Sequence, residues 1–214
     1  NYVDHGPYSE FGDLLAMRFS QFTGAGYDIK NIRNRNQTVA TNHAWGSAFR
    51  AYGSPQAFLG SEICMDVLAE KMGIDPFELR YRNIYRPGAT TPTGQVPDVY
   101  CMEEMYDKAR PYYEEAKARC AELNAKSDGR YKYGVGVSHG IYGCGIDGPD
   151  SSAANVQLNP DNTVTLFDSW EDHGQGADIG SLSMAHGTLR EAGFKPEDII
   201  LVKNDMALTP ASGP

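Results

Sequence analysis

The chain has 214 residues, 41% of them hydrophobic and 22% charged, which suits one large folded domain or two small ones. Its formal net charge of −9 argues against a nucleic-acid partner, because phosphate binding needs a basic face. No apolar run approaches the roughly 20 residues that span a bilayer, and no basic-then-apolar leader opens the chain. No membrane partner is therefore expected, and the expected location is cytoplasmic.

In chain order, "FGDLLAMRFSQF" predicts a helix over Gly12–Phe22, and "NIRNRNQTVATN" (31–42) reads as extended. A longer helix follows over 55–72. Ser54 is its expected cap and Pro55 its first residue, while Leu59, Ile63 and Val67 recur every four positions. Phe58, Cys64 and Leu68 widen that stripe, so the helix is expected to be well buried, and Gly73 ends it. Asp75, Pro76 and Glu78 open a second, short helix. Residues 86–98 form a loop by their Pro, Gly and Thr content. A charged helical stretch covers 101–125, where Pro111 predicts a kink or a break.

Beyond "AKSDGR" the pattern changes. "YKYGVGVSHGIY" (131–142) alternates like a strand, and "AANVQLNPDNTVTLFDSW" reads as a hairpin around Asn159–Asn162. Ala177–Leu189 is helical with Gly193 beyond it, and "IILVKN" is a buried strand. Strands and helices mix without strict βαβ alternation, which places the chain in the α+β class. The internal boundary falls after residue 126, giving parts 1–126 and 127–214. The chain opens on Asn1 and stops on "MALTPASGP", so it reads as part of a longer polypeptide.

Four segments carry candidate chemistry. Cys64, Cys101, Cys120 and Cys144 include no C-x-x-C pair, which fits neither a zinc ribbon nor a ferredoxin-type cluster. Cys64 and Cys120 lie in helical patterns and read as packed, reduced thiols. "GCGIDG" (143–148) matches G-x-G-x-x-G, but a dinucleotide site needs a helix directly after it, and Pro149 and a strand pattern follow instead. "EDHGQGADIG" (171–180) joins a strand end to a helix start. Its glycines let backbone amides approach a ligand, and Gln175 offers a donor and an acceptor. The competing reading is a plain strand–turn–helix junction. "FRAYGSPQ" (49–56) is likewise either a simple helix entry or one wall of a small-molecule site.

Taken together, "WGSAFRAYGSPQ", the following E-x-C-M-D-x-L-A-E-x-x-G-x-D-P-x-E-L-R-x-x-N and the later "HGQG" resemble the molybdenum-binding large subunit or domain of the xanthine oxidase/aldehyde oxidoreductase family. Within it, the likeness is to Desulfovibrio-type aldehyde oxidoreductases. "YSEFGDLLAMRFSQFTGAGYDIKNIR" and "ALTPASGP" extend the resemblance along essentially the whole chain. It implies a molybdenum hydroxylase that oxidises aldehydes to carboxylic acids at a molybdopterin cytosine dinucleotide centre and passes electrons to [2Fe–2S] clusters.

By position, the resemblance puts the backbone of Arg50 beside the metal and makes Tyr52 an aromatic wall of the substrate pocket. It gives His173, Gly174, Gln175 and Gly176 to the turn that holds the pterin dinucleotide. It supplies no direct metal ligand here and no catalytic residue, because the family's base glutamate falls further downstream and the iron–sulfur cysteines fall upstream. The implied partners are a small aldehyde, the rest of the polypeptide with its iron–sulfur domains, and a second copy in a homodimer. The alternative is a non-catalytic relative serving as a binding or assembly module.

Overall fold

Residues 1–8, 12–46, 49–142 and 151–211 are described by a computed structural model, in which helices combine with short parallel and antiparallel strands as the α+β expectation requires. They fall into two units, Asn1–Tyr142 and Gly143–Pro214.

In the first unit, β1 (Tyr2–Asp4) and β2 (Gln37–Val39) pair in parallel with Val3 opposite Thr38, and α1 (Gly12–Phe22) lies between them in the chain. Leu15, Arg18 and Phe22 recur at helical spacing on the buried face of α1. Helix α2 (Ser54–Met72) starts one residue earlier than expected. Its cap is the left-handed Gly53, and the Ser54 hydroxyl donates to the Ala51 carbonyl at 2.5 Å instead of capping the helix.

The apolar stripe of α2 is not its buried face. Leu59, Ile63 and Val67 are 65, 53 and 44% exposed, and Cys64 is exposed too, whereas Ala57, Glu62 and Ala69 are buried. Small residues and one paired carboxylate let α2 lie close to α1 and α3, so within this chain the packed face is not the apolar stripe. Within this chain the Cys64 thiol is accordingly not packed.

Helix α3 (Pro76–Asn83) begins as its sequence predicts, with the Asp75 carboxylate accepting from the Phe77 and Glu78 amides at 2.8 and 3.3 Å. Helix α4 (Met102–Lys126) runs unbroken through Pro111, on an exposed face, where the missing N–H costs one bond without unseating the buried Met102, Tyr106 and Tyr113. These three close the main core of the unit with Phe77, Ile84, Tyr85 and Ala89.

Residues 131–142 form no strand. The Asn124 side chain binds Tyr133 instead, accepting from its amide at 3.0 Å and donating to its carbonyl at 2.8 Å, while Val137 and Ile141 pack on the core. That side chain thereby pairs both backbone groups of Tyr133.

The second unit is a three-stranded sheet in the order β3–β4–β5. The hairpin expected around Asn159–Asn162 is present: β3 (Asn155–Leu158) and β4 (Val164–Asp168) are antiparallel, with Asn162 left-handed in the turn. Strand β5 (Ile199–Lys203) lies parallel to β4, which requires a crossover, and α5 (Ala177–Leu189) supplies it. The glycine motif at 143–148, with Cys144, lies outside the described residues. Residues 151–154 are not helical and β3 follows, so the helix a dinucleotide loop needs is absent among the described residues there.

Candidate functional site

In the second unit, β4 and β5 run parallel, and their carboxyl ends meet the start of α5. Ligands of open α/β sheets gather at such ends, because the connecting loops and a helix N-terminus converge there. The turn between β4 and α5 contains His173, Gly174, Gln175 and Gly176. Both glycines are left-handed, at φ 94 and 83°.

Asp172 organises this turn. Its Oδ1 accepts from the Gly174 amide at 2.6 Å and from the Gly176 amide at 3.3 Å. These bonds, that of Gly174 foremost, hold the carboxyl below its ordinary pKa. Gln175 is occupied within the turn as well: its Oε1 accepts from the His173 amide at 2.6 Å, and its Nε2 donates to the Glu171 carbonyl at 2.8 Å.

The flank of the turn is fixed by packing. The Trp170 ring lies so close to Gly180 of α5 that a Cβ there would fall 2.9 Å from it. Past β5 the chain returns, and the Ser169 hydroxyl reaches Thr209 Oγ1 at 3.0 Å and the Pro210 carbonyl at 2.6 Å. Asp172 received no role in the sequence reading of this turn, and Ser169 and Thr209 lay outside it. The signal for Asp172 was present, since an Asp followed by Gly at the second and fourth positions is a turn pattern.

In the first unit, the segment before α2 is a tight left-handed turn. The Tyr52 amide donates to the Phe49 carbonyl at 2.7 Å and the Ser54 amide to Ala51 at 3.0 Å, with Ala51, Tyr52 and Gly53 all at positive φ. Two consecutive non-glycine residues in that region store backbone strain, which the surrounding packing must hold. Gly53 shows how. A Cβ on it would sit 3.1 Å from the Leu15 carbonyl and 3.2 Å from Arg18 Cβ, so the turn is pressed onto α1. Arg50 is exposed and Tyr52 half-buried. Burial raises the phenol pKa of Tyr52, and the Arg18 charge opposes that rise.

The sequence-predicted residues therefore form two local groups. Arg50 and Tyr52 share the left-handed turn of the first unit, and His173–Gly176 share the strand–helix turn of the second. The second group leaves room for a ligand on one side. A Cβ on Gly176 would meet nothing within 4 Å, so one side of the turn is bare backbone beside open space.

Comparison with known proteins bears on both groups. A family model described as "Molybdopterin cofactor-binding domain" matches residues 1–84, and a second with the same description matches 108–214. The chain is 56% identical over 212 residues to "Aldehyde oxidoreductase" of Megalodesulfovibrio gigas, covering 99% of this chain and 23% of that one. It is 31% identical over 209 residues to the putative xanthine dehydrogenase molybdenum-binding subunit XdhA of Escherichia coli, covering 96% of this chain and 27% of that protein. The crystal structure of the aldehyde oxidoreductase from Desulfovibrio desulfuricans superposes with a TM-score of 0.89 at 60% identity, across 100% of this chain and 23% of that one. Quinoline 2-oxidoreductase from Pseudomonas putida, at 20% identity and a TM-score of 0.71, shares the fold. The chain thus spans about a quarter of the length of its similar aldehyde oxidoreductases.

Proposed function

Because the chain belongs to the molybdopterin-binding domains of the xanthine oxidase/aldehyde oxidoreductase family, we propose that it forms part of the molybdenum site of an aldehyde oxidoreductase. The observation that carries this reading is the 56% identity to an aldehyde oxidoreductase along 99% of the chain, through both candidate turns. The proposed cofactor is molybdopterin cytosine dinucleotide, with [2Fe–2S] clusters and the base glutamate supplied by other parts of the polypeptide. The parent domains are proposed to divide between residues 126 and 127. Homodimer assembly and a cytoplasmic location complete the proposal. Among the described residues, no helix is long and apolar enough to cross a membrane.

When bound, molybdenum supplies Lewis-acid and redox chemistry that makes oxygen transfer to a carbonyl carbon accessible. The residues of this chain bind and orient. His173, Gly174, Gln175 and Gly176 would hold the dinucleotide along the bare side of their turn, with Asp172 fixing the backbone geometry from behind. Tyr52 offers the aldehyde a flat apolar wall with a hydroxyl at its rim. Arg50 stands exposed at the start of the strained turn, and its proposed contact is through the main chain rather than the guanidinium.

The test uses the intact polypeptide. Metal analysis should find molybdenum, acid denaturation should release a cytidine nucleotide in equal amount, and the visible spectrum should show iron–sulfur bands. Protein made with ample molybdate that holds no molybdenum sinks the proposal. Gln175→Ala should lower cofactor occupancy, because the turn loses two of its internal bonds. Tyr52→Ala should impair aldehyde turnover at near-normal molybdenum content, and unchanged kinetics would remove Tyr52 from the pocket.

A further inference from the structure

Arg18 is an odd residue to find on the inner face of α1. It is 6% exposed, between Leu15 and Phe22 in the buried stripe. Among the described residues no carboxylate lies within 4.0 Å of it. Its Nη1 donates a long bond, 3.3 Å, to Gln21 Oε1. Otherwise the guanidinium rests on aromatic faces, with Cζ 5.0 Å from the centre of the Phe22 ring and 5.5 Å from that of Tyr142. Those two rings are themselves stacked, 5.5 Å apart at 11°. The stem of the same side chain lies under the left-handed turn, with Arg18 Cβ 3.2 Å from where a Gly53 Cβ would be.

A buried cation without an anion is costly, and a simple core position would take a leucine or methionine at no such cost. A flat cation, however, can touch two things at once: the rings through its plane and the turn through its stem. Arg18 in this way connects the turn carrying Tyr52 to Tyr142, the residue from which the chain enters the 143–150 segment.

We propose that Arg18 is a positioning residue for substrate: it sets the placement of Tyr52 against Tyr142, and so the width of the wall an aldehyde meets. The inference rests on the reading of Tyr52 as a pocket wall. Arg18 touches neither substrate nor cofactor in this role, and its effect falls on binding and on size preference rather than on the chemical step. The half-buried Tyr52 phenol, whose pKa Arg18 alone pulls downward among the causes acting on it, agrees with that adjacency.

The experiment compares Arg18→Met, Arg18→Lys and Tyr52→Ala with wild type in the intact, molybdenum-loaded polypeptide, using acetaldehyde and benzaldehyde. Arg18→Met keeps the stem and loses the cation. It is expected to raise KM for benzaldehyde about three- to tenfold, with kcat within about twofold and molybdenum content unchanged. The benzaldehyde-to-acetaldehyde preference should shift with it. Arg18→Lys keeps a point charge without the plane, so its KM should fall between the two. Wild-type KM and preference in Arg18→Met, while Tyr52→Ala changes both, overturn the role of Arg18 and leave the pocket wall standing. A Tyr52→Ala enzyme unchanged in both overturns the pocket reading and this inference together. Loss of molybdenum with unchanged KM marks a merely structural arginine and also overturns it. Should Arg18→Met fail to accumulate, Arg18→Lys decides: a shifted KM at normal molybdenum content upholds the proposal, and unchanged KM and preference overturn it.

Discussion

Arg80 is fully enclosed, and every edge of its guanidinium is used. Its Nε donates to Glu62 Oε2 at 2.8 Å, Nη2 to the Glu62 carbonyl at 3.1 Å and Asp66 Oδ1 at 2.8 Å, and Nη1 to the Pro76 carbonyl at 3.2 Å. Burial works against the charge, but Glu62 and Asp66 outweigh it and keep the arginine protonated. The other Glu62 oxygen accepts from the Tyr27 hydroxyl, so the network ties α2, α3 and the segment after α1. Burial first, and then that carboxylate, raise the pKa of Tyr27. Removing one partner strands a buried charge, so Arg80→Met should cost about 3–5 kcal/mol in urea denaturation. Arg80→Met with Glu62→Leu should recover much of that loss, because the stranded carboxylate goes too. A double variant no more stable than the single one would show that the network contributes more than it costs to desolvate.

At the scale of the elements, the informative helices are α2 and α4. Both were legible in the sequence as helices, and both were misjudged in one respect. On α2 the four-residue recurrence of Leu59, Ile63 and Val67 is real, yet the face that packs holds Ala57, Glu62 and Ala69. Hydrophobicity alone does not locate a contact in which close approach requires small residues and a buried carboxylate has its own cation. On α4 the proline was expected to kink or break the helix; there is no break, because one missing hydrogen bond on an exposed face is tolerable when three aromatic or sulfur side chains anchor the other face. Pro111→Ala restores the N–H toward Asp107 and removes the ring, so it should stabilise the protein by about 1–3 kcal/mol. A shift of the denaturation midpoint to higher urea at unchanged slope is the expected result, and a downward shift would mean that the proline ring itself is packed.

For the molecule as a whole, acid should be the weak side, and His139 sets where the loss begins. Its Nδ1 meets the Tyr106 hydroxyl at 2.5 Å, its ring lies 4.4 Å from that of Tyr27, and its Nε2 is buried without a partner among the described residues. Burial pushes its pKa down to about 4 from 6.5; the Arg80 charge adds to this and Glu62 opposes it. The unfolded chain therefore takes up a proton first as pH falls. Stability is full above about pH 6.5 and declines toward pH 4, by about 3 kcal/mol in total for this one group. Asp4 acts lower. The Gly6 amide, the Thr41 hydroxyl and His43 hold it near 2, so its contribution disappears only as pH drops from 3.8 through 2. Melting temperatures across pH 4–7.5 should show the upper limb, and His139→Phe should flatten it. A persisting slope between pH 6.5 and 4 in that variant would assign the limb to another group.

The sequence by itself determined the class of structure, the helices at 12–22, 76–83 and 177–189, the hairpin around Asn159–Asn162 and the family to which the chain belongs. Each of these rests on local chemistry: a cap such as Asp75, a turn such as Pro160-Asp161-Asn162, or a contiguous motif such as "HGQG". Tertiary structure alone decided which side of α2 packs within this chain, that the Asn124 side chain pairs the backbone of Tyr133, and that Arg18 lies beneath the turn of Tyr52. Those outcomes depend on partners far along the chain, Asn124 for Tyr133 and α1 for Gly53, and on the balance between burial and pairing that no local pattern encodes.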